Sequence, residues 1–173
     1  MKVTLLLFFC CVLGWQSSYA QATDSMAHWA GKWRGTLVNL PTRANAPRVD
    51  VLMEIEGVPM ADNTCTAWRT TYSEGGVVKG VKDYKLCRGK GADDLFMDEN
   101  NGIKLTARWL GDVLVTPFKY DNLLLLTTNR LRRDVLEQEI ITIDDQPAIK
   151  GVQPLRARSI QRIELRRVVP PSQ

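Results

Sequence analysis

The 173-residue chain contains one histidine, His28, and that single imidazole closes most routes to side-chain catalysis. Nucleophilic chemistry of the Ser-His-Asp or Cys-His kind needs a base held beside the nucleophile. A zinc site built from imidazoles and thiolates fails for the same reason, because the four cysteines, Cys10, Cys11, Cys65 and Cys87, have no histidine partners nearby. The acidic pairs Asp93-Asp94, Asp98-Glu99 and Asp144-Asp145 fall at turns or strand ends and lack the spacing of a calcium loop. No glycine-rich loop follows a strand and opens a helix, so nucleotide phosphates have no cradle. The expectation is a protein that is not an enzyme, with no catalytic residues, no metal and no cofactor.

The aromatics raise a different possibility. Trp68, Tyr72, Tyr84, Trp109 and Phe118 sit on alternating positions of strand-like segments, with the inward parity of a half-buried sheet. Lys82 shares that parity and is the one charged residue among them. Such a set either lines a ligand cavity or fills a small barrel solidly. As cavity residues these six would hold a small hydrophobic or amphipathic molecule, with Lys82 facing a ligand carboxylate. The basic run Arg130, Arg132, Arg133 reads more simply as a solvated hairpin tip.

These side chains need strands to position them. Short runs rich in Val, Ile, Leu, Thr, Trp and Tyr are cut by Gly75-Gly76, Gly89-Lys90-Gly91, Asn101-Gly102, Gly111-Asp112 and Asp121-Asn122, a spacing that predicts an antiparallel meander. The predicted strands are Trp33–Leu40, Val49–Gly57, Cys65–Ser73, Val77–Arg88, Asp93–Asp98, Ile103–Leu110, Val113–Tyr120, Leu123–Arg130, Val135–Ile143 and Ile160–Val169. About ten hairpin-linked strands in one domain favour closure, which removes exposed edges. The fold class expected is all-β, a single antiparallel up-and-down barrel, with an open sandwich as the alternative. Asp144–Arg158, broken by Pro147, Gly151 and Pro154, is expected to be irregular.

One hairpin can be read in register. Pairing across Gly75-Gly76 so that Cys65 faces Cys87 also sets Arg69 opposite Asp83, Trp68 opposite Tyr84 and Tyr72 opposite Gly80. A disulfide, an ion pair, an aromatic pair and an aromatic over a glycine follow from one choice. Val78 then shares the inner face with Trp68, Tyr72, Tyr84 and Leu86, and the disulfide lies on the outer one.

The chain opens with Met1-Lys2, an apolar run from Val3 to Leu13, and small residues at Ser18 and Ala20. That is the three-part pattern of a secretory signal peptide, and the run is too short to span a bilayer. The expected organisation is a signal peptide over residues 1–20, cleaved near Ala20, and one barrel domain over 21–173. The domain would be secreted or periplasmic, without stable membrane insertion, and in an oxidising space where Cys65 and Cys87 pair. It would carry 22 basic and 19 acidic residues, a mixed and mild balance that argues against a nucleic-acid partner.

The most specific short pattern is His28-Trp29-Ala30-Gly31-Lys32-Trp33-Arg34-Gly35. Its Gly31-Lys32-Trp33 step, after a signal peptide and at the head of a meander, resembles the first signature of the lipocalins and the wider calycin group. The resemblance implies that Trp33 plugs the closed end of the barrel and that an arginine of the last strand packs across its ring. Arg162, Arg166 and Arg167 are available, with Arg166 preferred. In sequence the likeness covers only this step and the basic last strand. The chain departs from typical lipocalins in having no helical period before its last strand. Pro41–Arg48 is too short for the helical lid of fatty-acid-binding barrels, and His28 comes too early to be the proximal ligand of a haem barrel. The resemblance implies a divergent secreted lipocalin-like barrel that binds a small molecule inside. Two other functions remain open: a protein-binding module, for example an inhibitor of an extracellular enzyme, acting through Pro41–Arg48 or Asp144–Arg158, and a cofactor-free lyase or isomerase on the same fold.

Overall fold

The computed structural model describes residues 28–169. The signal segment and its cleavage position lie outside them. Ten strands follow one another along the chain: β1 (Gly31–Leu40), β2 (Val49–Ile55), β3 (Thr64–Glu74), β4 (Val77–Arg88), β5 (Leu95–Asp98), β6 (Lys104–Leu110), β7 (Val113–Tyr120), β8 (Leu123–Arg132), β9 (Val135–Asp145) and β10 (Leu155–Arg167). Each pairs antiparallel with its sequence neighbour, and β10 returns to β1 to close the barrel. The closing seam runs from Trp33 opposite Arg167 to Leu40 opposite Ile160. Closure satisfies the two edges that an open meander would expose to other chains.

The hairpin register holds over most of β3 and β4. Cys65 faces Cys87, Trp68 faces Tyr84, Arg69 faces Asp83 and Tyr72 faces Gly80, and the two cysteines form a disulfide. Nearer the turn the register shifts by one between Tyr72 and Ser73, so that Ser73 pairs with Val78 and Glu74 with Val77. The extra residue is Lys79. The two-residue turn Gly75-Gly76 fixes Glu74 opposite Val77, and the bulge reconciles that tight turn with the register set by the cysteines. This corrects the placement of Val78: beyond the bulge its side chain changes face, and it is 56% exposed.

Three further expectations are corrected. Asp144–Arg158 is not irregular throughout, since β9 extends to Asp145 and β10 begins at Leu155. Arg156 pairs with Asp144, and the register shifts between Ala157 and Ser159, so the prolines and glycine mark only the connection at 146–154. The strand predicted from Ile103 begins one residue later, at Lys104, and Ile103 itself is half exposed. The arginine over Trp33 is Arg167, not Arg166. Its guanidinium carbon lies 4.2 Å from the centre of the ring.

The reason for the last correction is parity. Arg167 is the register partner of Trp33, and Arg166 that of Arg34, so the two arginines face opposite sides of the wall. Arg167 also donates to the Ala30 carbonyl at 2.5 Å and to the His28 carbonyl. Gly31 has φ +141°, a backbone conformation that other residues rarely adopt, and a Cβ there would also displace the Arg167 guanidinium. Trp33 is fully buried and its Nε1 donates to the Trp29 carbonyl at 3.1 Å. A cation over an indole contributes about 0.5–2 kcal/mol; here it also pins the chain entering β1 onto β10.

The core fills one end of the barrel. Trp29, Trp33, Met53, Leu86, Leu114, Leu136 and Leu165 are buried there. Trp29 stacks tilted on Trp68, with centroids 5.7 Å apart, and meets Trp109 edge-on at 5.2 Å. The other end, where β1–β2, β3–β4, β5–β6, β7–β8 and β9–β10 connect, is not plugged in this way.

Candidate functional site

Above the aromatic plug, side chains of β3 to β10 and Glu99 just after β5 line a cavity of about 150 Å³ that is open to solvent. It has three zones. Trp68, Met97, Leu105, Phe118, Leu125 and Ile140 supply apolar walls. Thr70, Thr116, Asn129 and Gln138 are polar yet buried, and they line the cavity together with Thr127. Tyr72, Lys82, Tyr84, Glu99 and Gln161 complete it with further polar groups.

Alternation explains how the sequence delivers these groups. On β8 the inward positions are Leu125, Thr127, Asn129 and Leu131, and on β9 Leu136, Gln138 and Ile140, the strands being paired so that Asn129 faces Gln138. Gln138 Nε2 donates to Asn129 Oδ1 at 2.8 Å. This bond offsets part of the desolvation of two amides, which left unpaired would each cost about 1–3 kcal/mol.

The charged group is Lys82. Its ammonium lies 5.9 Å from the Tyr72 ring centre and 6.0 Å from that of Tyr84; the residue lines the cavity and is exposed to solvent. Desolvation lowers its pKa from the ordinary lysine value, and the nearby Glu99 carboxylate opposes that shift. Burial raises the Tyr72 phenol. The Tyr84 phenol is pushed up to about 12, first by burial and then by its hydrogen bond to Glu99 and that group's negative charge. A cation, a carboxylate and two phenols thus converge on one side of the cavity.

Of the six residues expected to line a cavity, Trp68, Tyr72, Lys82, Tyr84 and Phe118 do so. Trp109 does not. It lies lower, against Trp29 in the plug, with its Nε1 buried and without a partner among the described residues. Glu99, read from sequence as an ordinary turn carboxylate, joins the site, as do Asn129 and Gln138. The available signal for the two amides was polar residues at the inward parity of strands whose other inward positions are mostly leucine or isoleucine.

The remaining acidic pairs are engaged elsewhere. Asp94 accepts from the Lys90 backbone N–H at 2.7 Å. Asp144 binds Arg156 at 2.9 Å and Arg158 at 3.3 Å, and the Arg156 hydrogen bond leads in holding its carboxyl below the usual range. Among the described residues no three His, Cys, Asp or Glu side chains form a group able to hold a metal ion. On the outer wall, Arg162 pairs with Glu139 at 2.7 Å and Arg130 with Asp112 at 3.4 Å; such exposed pairs contribute little to stability.

Fold and site together define a closed ten-stranded antiparallel barrel with a disulfide on its wall and a partly polar interior cavity. Comparison with protein-family models, with curated proteins and with solved structures finds no match to this chain.

Proposed function

We propose that this protein is an exported, lipocalin-like carrier that takes a small amphipathic molecule into the barrel and is not an enzyme. The observation that carries the reading is the cavity itself, about 150 Å³, open to solvent and lined mostly by side chains of β3 to β10. A space of that size accepts a molecule of roughly benzene dimensions, and a longer ligand would extend past the phenols toward solvent. Binding would come from burial, at about 20–33 cal/mol for each Å² of apolar ligand surface removed from water. Lys82 would meet an anionic ligand group. The Gly31-Lys32-Trp33 step with Arg167 across the indole supports the lipocalin-like assignment, and the Cys65–Cys87 disulfide supports an oxidising compartment, secreted or periplasmic.

The test is binding of a small environment-sensitive naphthalene dye to the folded domain. The expected affinity is about micromolar, or roughly 8 kcal/mol at the standard state. Trp68→Ala should change that affinity while leaving the far-ultraviolet circular dichroism spectrum intact. Lys82→Met should weaken competition by octanoate more than by octanol, because only the acid offers a carboxylate to the ammonium. A folded protein that binds neither dye nor competitor would overturn the carrier reading.

A second reading has one observation in its favour. Ile149 and Val152, bridged across the tip of the β9–β10 connection, are 63% and 64% exposed. An apolar loop tip of this kind suits a protein partner, and the dye result decides between the two.

A further inference from the structure

We infer that the deep end of the cavity is built for an uncharged group presenting a hydrogen-bond acceptor beside a donor, as in an aromatic carboxamide or a lactam. This rests on the carrier reading and names its ligand class. Asn129 and Gln138 face each other across β8 and β9, are 6% and 8% exposed, and both line the cavity. Their mutual bond uses one N–H of Gln138 and the carbonyl of Asn129. What remains is the Asn129 amino group, a donor, and the Gln138 carbonyl, an acceptor. Neither makes another side-chain hydrogen bond among the described residues, and neither is among the fully buried unpartnered atoms, which places them at the cavity surface. A ligand amide or lactam answers that pair with its own C=O and N–H. The hydroxyls of Thr70 and Thr116, both buried, add neutral partners of either sense.

Charge is what the register partners of the amides lack. Apart from each other, the amides have Leu114 and Ile163 as register partners, neither of them ionisable, whereas Thr70 faces Lys82 across β3 and β4; an unpaired ion taken in beside the amides would forfeit its hydration. An anionic substituent would have to stay near Lys82, on the other side of the cavity. The rest of the cavity lining includes flat or branched hydrocarbon, Trp68, Phe118 and Ile140 among it, and this favours a ring as the body of the ligand.

The experiment compares benzamide with acetophenone, which has the same shape and keeps the acceptor but lacks the N–H donor. Both are titrated as competitors of the naphthalene dye. Benzamide is expected to bind at least tenfold more tightly, because acetophenone leaves the Gln138 carbonyl unpaired, a defect that hydrogen-bonding sites reject strongly. In the double variant Asn129→Leu, Gln138→Met the preference should vanish or reverse; replacing both partners by apolar groups of similar shape is close to neutral for stability. In the unsubstituted protein, benzamide should shift the side-chain amide resonances of Asn129 and Gln138, which needs no variant to fold. Equal affinities, a preference that survives the double substitution, or unmoved amide resonances at saturation each overturn the inference. If the dye binds and benzamide does not, the inference fails and the carrier reading stands. If the dye itself fails to bind, both fall.

Discussion

Tyr84 and Lys82 pull the pH dependence of stability in opposite directions. A phenol in the unfolded chain ionises near 10.0, whereas in the fold Tyr84 keeps its proton up to about 12. Between those values the native state holds the extra proton, so stability falls as pH rises through the window. Lys82 has its pKa lowered from 10.5. Just below that value the unfolded chain holds the extra proton, and stability rises with pH. Above about pH 10.5 the lysine contribution is exhausted and the tyrosine one dominates. Urea denaturation of Tyr84→Phe should therefore show a shallower loss of stability from about pH 10.5 to 12 than the parent protein. Parallel declines would mean that the phenol is not held neutral by burial and by Glu99. Only the folded register exposes this chemistry. Asp98-Glu99 reads in sequence as a solvated turn, and nothing local says that Glu99 will meet side chains of β4.

At the scale of elements, the β3–β4 hairpin was the most legible part of the chain. One register satisfied four cross-strand pairs, and adjacent strands leave few other choices when one face must be buried. The disulfide closes a separation of 22 residues, for which loop-closure entropy gives about 3 kcal/mol. Thiol labelling of the domain from Gln21 onward, unfolded but not reduced, should find no free thiol. Reduction should lower the urea midpoint by an amount matching about 3 kcal/mol. Two titratable thiols would contradict the bond and the hairpin register together. The bulge at Lys79 escaped sequence reading because it arises from two local rules in conflict, a two-residue turn and a disulfide register one step out of phase with it. Strand ends at Asp145 and Leu155 were hidden by neighbouring prolines, whose effect stops at the connection itself.

For the molecule as a whole, the decisive contact is the closing seam. A Cβ on Gly35 would lie 2.0 Å from the Glu164 carbonyl oxygen and 3.1 Å from the Leu165 Cα, all backbone of β10. Gly35→Val therefore cannot be absorbed by a rotating side chain; β1 and β10 must separate. Separation leaves two unpaired edges, which invite pairing with other chains. The variant is expected to unfold at markedly lower urea and to elute as oligomers in size-exclusion chromatography. A monomer of parental stability would show that β10 is not held against β1 as tightly as this approach requires.

The amino-acid order alone was enough to determine the meander, the all-β class, the disulfide partners and most of the inward aromatic set. Each depends on period-two alternation, turn chemistry or adjacent-strand register, which are local properties of the chain. Tertiary structure decided three things that involve strands far apart in sequence. It selected Arg167 over Arg166, because one residue of register between β1 and β10 sends neighbouring side chains to opposite faces. It sent Trp109 into the plug rather than the cavity wall, because height along the barrel axis depends on the stagger of all ten strands. It gathered Glu99, Asn129 and Gln138 around one space, because only closure of the sheet gives the inward faces of β5, β8 and β9 a common interior.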